Sequence, residues 1–152
     1  MTKTAKSLGL YGPLLAWMFV ISLASTSGFS SLNTSLIIRP LLLWIFPNIS
    51  EGQIAIAHIV TRKLAHFSEY AVLGILAARA FSSSANHFLR QRWFQMAVLL
   101  VVTYALLDEL HQSFVPERTA SIYDSAIDIA GGVTALLLIR HRLRYLAAER
   151  RG

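Results

Sequence analysis

The sequence contains no cysteine in 152 residues. This absence excludes a disulfide framework, a thiol nucleophile and a zinc site with cysteine ligands, although it does not identify a cellular compartment. Charged residues are also scarce, at 14% of the chain against about 25% in ordinary soluble domains. Hydrophobic residues make up 55%. Because a soluble surface needs more charge than this, the composition predicts a protein that resides in a lipid bilayer.

Acidic residues are the scarcer of the two charge types. Eight aspartates and glutamates stand against fourteen lysines and arginines, which leaves a net charge of +6. In a soluble chain this balance suggests a nucleic-acid partner. In an apolar chain it is typical of basic residues that face anionic lipid. We therefore expect membrane lipid, and no nucleic acid, as the partner.

Long apolar runs predict four membrane-spanning helices, because one helical span needs about 20 residues. The expected fold is all-α, a single membrane domain over residues 1–152 built as an integral four-helix bundle. The predicted spans cover residues 8–24, 62–81, 94–114 and 121–139. The first run also fits a cleavable signal peptide, because lysines precede it and small residues follow it. Both interpretations send the following residues outward.

A shorter apolar segment, residues 36–49, lies in the first outer loop. It is too short to span the bilayer, Arg39-Pro40 interrupts it and Pro47-Asn48 ends it. Its Trp44 and Phe46 suit a segment that lies in the membrane interface. The same residues also fit an ordinary loop with hydrophobic packing, and both interpretations stay open at this point.

The distribution of basic residues predicts the orientation of the spans. Ten of the fourteen lie at the amino terminus, around the loop between the second and third spans, or at the carboxyl terminus. A four-span chain places these three regions on one side, and the positive-inside rule makes that side cytoplasmic. We therefore expect a multi-pass inner-membrane protein with both termini in the cytoplasm and the loops 25–61 and 115–120 outside.

Ionisable residues in the last three predicted spans fall at a similar depth. At about 1.5 Å per helical residue, His66, Glu69, Asp108, Asp124 and Asp128 all lie roughly 4–10 Å below the outer ends of their helices. An unpaired charge there costs a few kcal/mol, so these groups must face one another or a water-filled cavity. The spacing of Lys63 and His66, and of Asp124 and Asp128, places each pair on one helix face. The small residues Gly131 and Ala135 would let the fourth span approach a neighbouring helix closely.

Three strings in this part of the chain resemble the motifs of the VanZ-like family: RKLAHFSEYAVLG (62–74), DELHQSFVPER (108–118) and SIYDSAIDIAGG (121–132). That family consists of small bacterial integral membrane proteins, and its namesake is associated with low-level resistance to the glycopeptide antibiotic teicoplanin. The chain departs from the family pattern at Glu117 and Ala135, where glycines are usual. The positions that match are Lys63, His66, Tyr70, Asp108, Glu109, Gln112, Arg118, Asp124, Asp128 and Gly131.

These residues supply two kinds of chemistry. Crowded carboxylates and a histidine in low dielectric can serve as general acid and base, and the candidate catalytic residues are His66, Asp108, Glu109 and Asp128. Cations near the surface suit a phosphate or carboxylate. The candidate substrate-binding residues are Arg62, Lys63, Tyr70, Gln112, Arg118 and Asp124. The alternative is that the cations neutralise the acids structurally and that Tyr70 is a core aromatic.

A metal site is the weaker interpretation of the same residues. His66, His111, Asp108 and Asp128 resemble the ligand mix of a divalent metal, but the sequence has no HExxH or similar tight motif. No cofactor motif is present either. We expect neither a metal nor a cofactor.

The resemblance and the polar layer together imply a bacterial inner-membrane protein with a site in the outer half of the bilayer. The expected ligand is an anionic amphipathic envelope molecule: a lipid-linked precursor, a phospholipid or a lipoglycopeptide antibiotic. If the protein is an enzyme, it is a hydrolase or transferase acting on an envelope lipid. The alternative is a structural or partner-assisting membrane protein. A transporter is less favoured, because four helices offer little pore and no inverted repeat is visible.

Overall fold

A computed structural model describes residues 3–26, 31–115 and 121–150. Within these ranges every regular element is an α-helix, which confirms the all-α prediction. Six helices follow one another along the chain: α1 (Lys3–Ala24), α2 (Ser31–Ile45), α3 (Glu51–Ser82), α4 (His87–Gln91), α5 (Trp93–Ser113) and α6 (Ile122–Glu149).

Three of these helices are long and apolar enough to cross a membrane. The segments are Ser7–Ala24 in α1, Trp93–Ser113 in α5 and all of α6. The 32 residues of α3 give it a length of about 48 Å, more than a bilayer core, but it carries more charge than the other three. Its charges are Glu51, Arg62, Lys63, Glu69 and Arg79.

Two helices begin earlier than the hydrophobic pattern indicates. α3 begins at Glu51 rather than near Arg62, because Ser50 and Gln53 form a reciprocal capping box directly after the Pro47-Asn48 break. Residues 53–61 therefore extend α3 beyond the span predicted over residues 62–81. α2 begins at Ser31, contains Pro40 and ends at Ile45, so the segment predicted over residues 36–49 is a helix followed by a turn.

Side-chain contacts between helices give the direction of each helix. Tyr11, early in α1, donates to Ser84 beyond the end of α3, whereas Ser25, at the end of α1, reaches Asp108 late in α5. α1 and α5 thus run in one direction, and α3 and α6 run in the opposite one. The bundle therefore has a polar end, which holds Lys63, Asp108 and Asp124, and a basic end, which holds Arg79, Arg90, Arg92 and Arg140.

α3 lies in the centre and contacts α1, α5 and α6. Its closest neighbour is α6, because glycines remove the side chains between the two backbones. A Cβ placed on Gly131 would collide with the Phe67 carbonyl oxygen, and one on Gly74 would lie 2.7 Å from the Gly132 carbonyl oxygen. The sequence predicted close approach through Gly131 and Ala135. The structure achieves it mainly through glycines, including Gly74 and Gly132, which the pattern had not singled out.

Candidate functional site

Two ion pairs join α3 to α6 at the polar end. The Lys63 Nζ donates to the Asp124 Oδ1 at 2.8 Å, and the His66 Nδ1 lies 3.2 Å from the Asp128 Oδ1. The pairs form because the two helices run parallel and each contributes two residues one turn apart. The inner pair is the more buried: the Asp128 side chain is 0% exposed, against 46% for Lys63.

A half-open groove of about 260 Å³ lies beside these pairs. Four basic residues, one apolar residue and one acidic residue line the groove: His58, Arg62, Lys63, His66, Ile59 and Asp124. Within the described ranges, Arg62 has no acidic partner, whereas Lys63 and His66 each have one. The groove therefore presents one cation that no described acidic residue neutralises.

Asp108 lies on the other side of α3 and binds to α1 and its own helix. Its Oδ1 accepts from the Ser25 hydroxyl at 2.6 Å, and its Oδ2 accepts from the Gln112 amide at 3.1 Å. All three side chains are buried. The sequence placed Ser25 only at the start of the predicted outer loop 25–61, although a serine where the first span ends is at the right level to reach Asp108.

Glu109, next to Asp108 in the chain, faces α6 instead. Its Oε2 accepts from the Ser121 backbone N–H at 2.6 Å, where α6 begins. The carboxylate thereby satisfies one of the free amide donors at a helix amino terminus, and its charge suits the positive end of the helix dipole. Asp124, in the first turn of α6, also places a negative charge near this positive end.

Four buried polar atoms near these groups have no hydrogen-bond partner among the described residues. They are the Tyr70 hydroxyl, the Glu109 Oε1, the Ser125 hydroxyl and the Asp128 Oδ2. Ser125 precedes Asp128 by about one helical turn, and Tyr70 follows His66 by about one turn, so both lie near the inner ion pair. Asp128 is also within electrostatic range of Asp108 and Asp124. Ser125 was not singled out from the sequence.

Not every predicted residue lies in this cluster. Arg118 falls outside the described residues. His111 points away from the interior and is exposed, and within the described ranges no three histidine, aspartate or glutamate side chains converge as metal ligands. Of the remaining candidates, Arg62, Lys63 and His66 line the groove with Asp124, Asp128 lies behind His66, and Tyr70, Asp108, Glu109 and Gln112 are buried.

A family model described as VanZ/LLP1 matches residues 10–144 of this chain. The chain belongs to the VanZ/LLP1 family. The match confirms the resemblance that the three strings suggested, and it extends over α1 as well. No curated protein and no solved structure matches the chain. Together with the three apolar helices, family membership identifies a membrane protein of VanZ/LLP1 type.

The geometry of this VanZ/LLP1 chain gives its polar residues distinct chemical possibilities. Asp128 binds the Nδ1 of His66, which leaves the Nε2 for another partner and orients the ring toward the groove that it lines. A buried carboxylate that orients a histidine is a common arrangement for proton transfer. Asp108, in contrast, has both oxygens occupied by neutral donors from Ser25 and Gln112. Its contacts therefore serve helix packing.

Proposed function

We propose that this protein binds the anionic head group of an amphipathic envelope molecule in the groove lined by Arg62, Lys63 and His66. The observation that carries the proposal is the guanidinium of Arg62, which has no acidic partner among the described residues, beside an already paired lysine in a groove at one end of a membrane protein. An anionic group would supply the missing partner through charge-assisted hydrogen bonds. A lipid-linked precursor, a phospholipid or a lipoglycopeptide would each present one.

The proposal includes α3 as a fourth membrane span. α3 contacts α1, α5 and α6, and its segment from Tyr70 to Ala80 contains most of its buried residues. A helix enclosed by three spans crosses the bilayer with them, and between Glu69 and Arg79 it carries no charge. Four spans would place both termini and the arginines of the basic end in the cytoplasm.

The orientation can be tested by labelling, because the chain has no cysteine of its own. Single cysteines at Glu117, in the predicted outer loop 115–120, and at Asn86, which is exposed, should react with a membrane-impermeant maleimide from opposite sides. We expect Glu117→Cys to be labelled in intact cells and Asn86→Cys only after permeabilisation. Labelling of Asn86→Cys in intact cells would reverse the orientation and move the groove to the cytoplasmic side.

Binding is tested with the purified protein and defined lipids. We expect native mass spectrometry to show bound phosphatidylglycerol or polyprenyl phosphate, and Arg62→Gln to reduce affinity about fivefold, the effect of removing about 1 kcal/mol of surface attraction. Arg79→Gln is the matched control, since it removes an exposed arginine from the same helix at the basic end. Equal losses in both variants would show that binding depends only on overall charge and would refute the groove.

Catalysis would use the same groove. His66, oriented by Asp128, would carry a proton during hydrolysis or group transfer at a bound head group, and the cations would hold the anion. Turnover of a lipid-linked phosphate by the wild type, absent from Asp128→Asn, would establish the enzyme. Binding without turnover of such lipids would leave a lipid-binding membrane protein.

A structural role is the second candidate, and a specific observation favours it. Lys63 and His66 both pair with aspartates of α6, so the polar end also connects the two helices that pack most closely. In that case substitutions in these two pairs would lower protein abundance, and any activity measured in cells would fall with it. Melting temperature and activity measured on the same variants separate the two roles.

A further inference from the structure

The segment from α2 to the first turns of α3, residues 31–61, forms an outer arm beyond the polar end. α2 makes few contacts with α3, so neither helix covers the apolar surface of the other. The Trp44 side chain is 80% exposed. Other large apolar residues exposed on the arm are Leu36, Leu41, Ile45, Phe46, Ile56, Ile59 and Val60.

The outer arm carries almost no charge. Arg39 and Glu51 are its only lysine, arginine, aspartate or glutamate residues, and their side chains form an ion pair with each other. A hollow of about 540 Å³ at the turn is lined mainly by apolar residues: Ile45, Phe46, Pro47, Asn48, Ile49 and Gln53. A protein surface of this kind in water would promote aggregation, and it is typical of contact with lipid.

The exposed apolar surface of the arm is continuous with that of the bundle. Ile56, Val60 and Leu64 follow one another at four-residue spacing along α3, and all three are exposed. Leu64 lies beside Lys63, at the level of the groove. This side of α3 therefore runs from the level of the groove into the arm without an interrupting charge.

The length of α3 agrees with a bilayer surface near Ile56. From Ile56 to Arg79 at the basic end the helix rises about 35 Å, slightly more than the hydrocarbon core of about 30 Å. A surface at Arg62 would leave only about 26 Å between the two ends. Lys63 would then lie about 10 Å deeper than Ile56, which places the groove at or below the depth of lipid head groups.

We infer that the outer arm is embedded in the outer leaflet, so that the groove takes an anionic group carried on a membrane lipid and not a dissolved anion. This inference rests on the proposed head-group site, and it specifies the source of the ligand. The lipid would reach Arg62 and Lys63 sideways, from the leaflet beside Ile59 and Leu64. Its head group would lie in the groove while its chains stay among the neighbouring lipids.

The depth of the arm is measured with spin labels on single cysteines in vesicles of phosphatidylethanolamine and phosphatidylglycerol. Trp44→Cys and Ile56→Cys test the arm. Leu138→Cys, on the exposed side of α6, is the lipid reference, and Ser83→Cys is the water reference. We expect labels on the arm to be accessible to oxygen and protected from a water-soluble nickel chelate, as at Leu138. Labels on the arm that match Ser83 would overturn the inference.

A competition experiment tests the source of the anion. We expect glycerol phosphate, an anionic phosphate ester without acyl chains, to leave bound phosphatidylglycerol in place at a hundredfold excess. Displacement by glycerol phosphate would overturn the inference and leave the proposed anion site intact. If Arg62→Gln binds phosphatidylglycerol as well as the wild type does, the proposed function fails, while the label accessibilities still report the depth of the arm.

Discussion

The polar and basic ends of the bundle use charge in opposite ways. At the polar end, carboxylates are buried and bind across helices, as in the pairs of Asp128 with His66 and of Asp108 with Ser25. At the basic end, arginines lie at the surface, and two of them lie over aromatic rings: Arg92 over Phe88, and Arg140 at 4.5 Å from the centre of Phe94. Charge buried in a membrane protein must be compensated by neighbours, whereas charge at its surface is compensated by water and lipid.

This difference indicates which charges can be removed without harm. A buried group that binds two helices holds them together, and its loss leaves unpaired polar atoms behind. A surface arginine affects orientation in the membrane and little else. The expected effects of substitution therefore decrease from the α3–α6 contact through the buried aspartates to the arginines of the basic end.

The largest effect is expected where α3 and α6 touch, directly below the inner ion pair. Gly131→Ala places a methyl group against the Phe67 carbonyl, and backbone cannot move aside as a side chain can. We expect a loss of about 3 kcal/mol or more in unfolding free energy in detergent. Gly12→Ala is the control, because nothing lies within 4 Å of its added Cβ. Equal stability of the two variants would contradict the observed helix contact.

The next largest loss of stability is expected for Asp108→Asn, which alters the buried carboxylate that binds Ser25 and Gln112. Asparagine keeps the size but replaces one acceptor oxygen by an N–H donor, so the Ser25 hydroxyl and the Gln112 amide can no longer each donate to an oxygen of their own. We expect a loss of about 1–3 kcal/mol, seen as a lower melting temperature and lower abundance. An unchanged melting temperature would show that the Asp108 contacts do not hold α1 to α5.

Asp128→Asn should behave differently, because its Oδ1 can still accept from His66 while its Oδ2 has no partner among the described residues. The substitution also removes one negative charge near Asp108 and Asp124. We expect stability to change by about 1 kcal/mol or less and lipid turnover or the envelope phenotype to be lost. A variant that is stable, abundant and fully active would exclude a chemical role for this carboxylate.

The smallest effect is expected at the basic end. Arg144 is exposed in the last turns of α6, and in the described ranges it has no ion-pair partner. Arg144→Gln should change the unfolding free energy by about 0.5 kcal/mol or less, as measured by chemical denaturation. A loss as large as that of Asp108→Asn would show that a surface arginine of the basic end matters as much to stability as a buried carboxylate of the polar end.

Much of the polar end could be predicted from one-dimensional spacing. The pairs Lys63 with His66 and Asp124 with Asp128 follow from helical periodicity, and the cost of buried charge requires that they find partners. Ser25 and Ser125 could not be found in this way. A small hydroxyl has no periodic signal, and its role depends on which side chain lies opposite it on another helix.

The helix boundaries show the same division. The apolar content of α1, α5 and α6 was sufficient to identify three helices that suit a membrane, because the apolar side chains are themselves the cause of insertion. The early start of α3 depends on a local cap, Ser50 with Gln53, which is a signal separate from the hydrophobic pattern. The extension of α6 to Glu149 also lies beyond the apolar run, since α-helix formation does not require apolar residues.

The sequence by itself determined the helical class, the family and the residues that must not face lipid. These properties follow from local composition, from periodicity and from the free energy of burying charge, none of which depends on a neighbour. Only the tertiary structure decided the partners: that His66 meets Asp128, that Ser25 meets Asp108, and that Gly131 rests on the backbone at Phe67. The physical reason is that such contacts depend on the relative rotation and offset of helices, which are set by packing over the whole bundle.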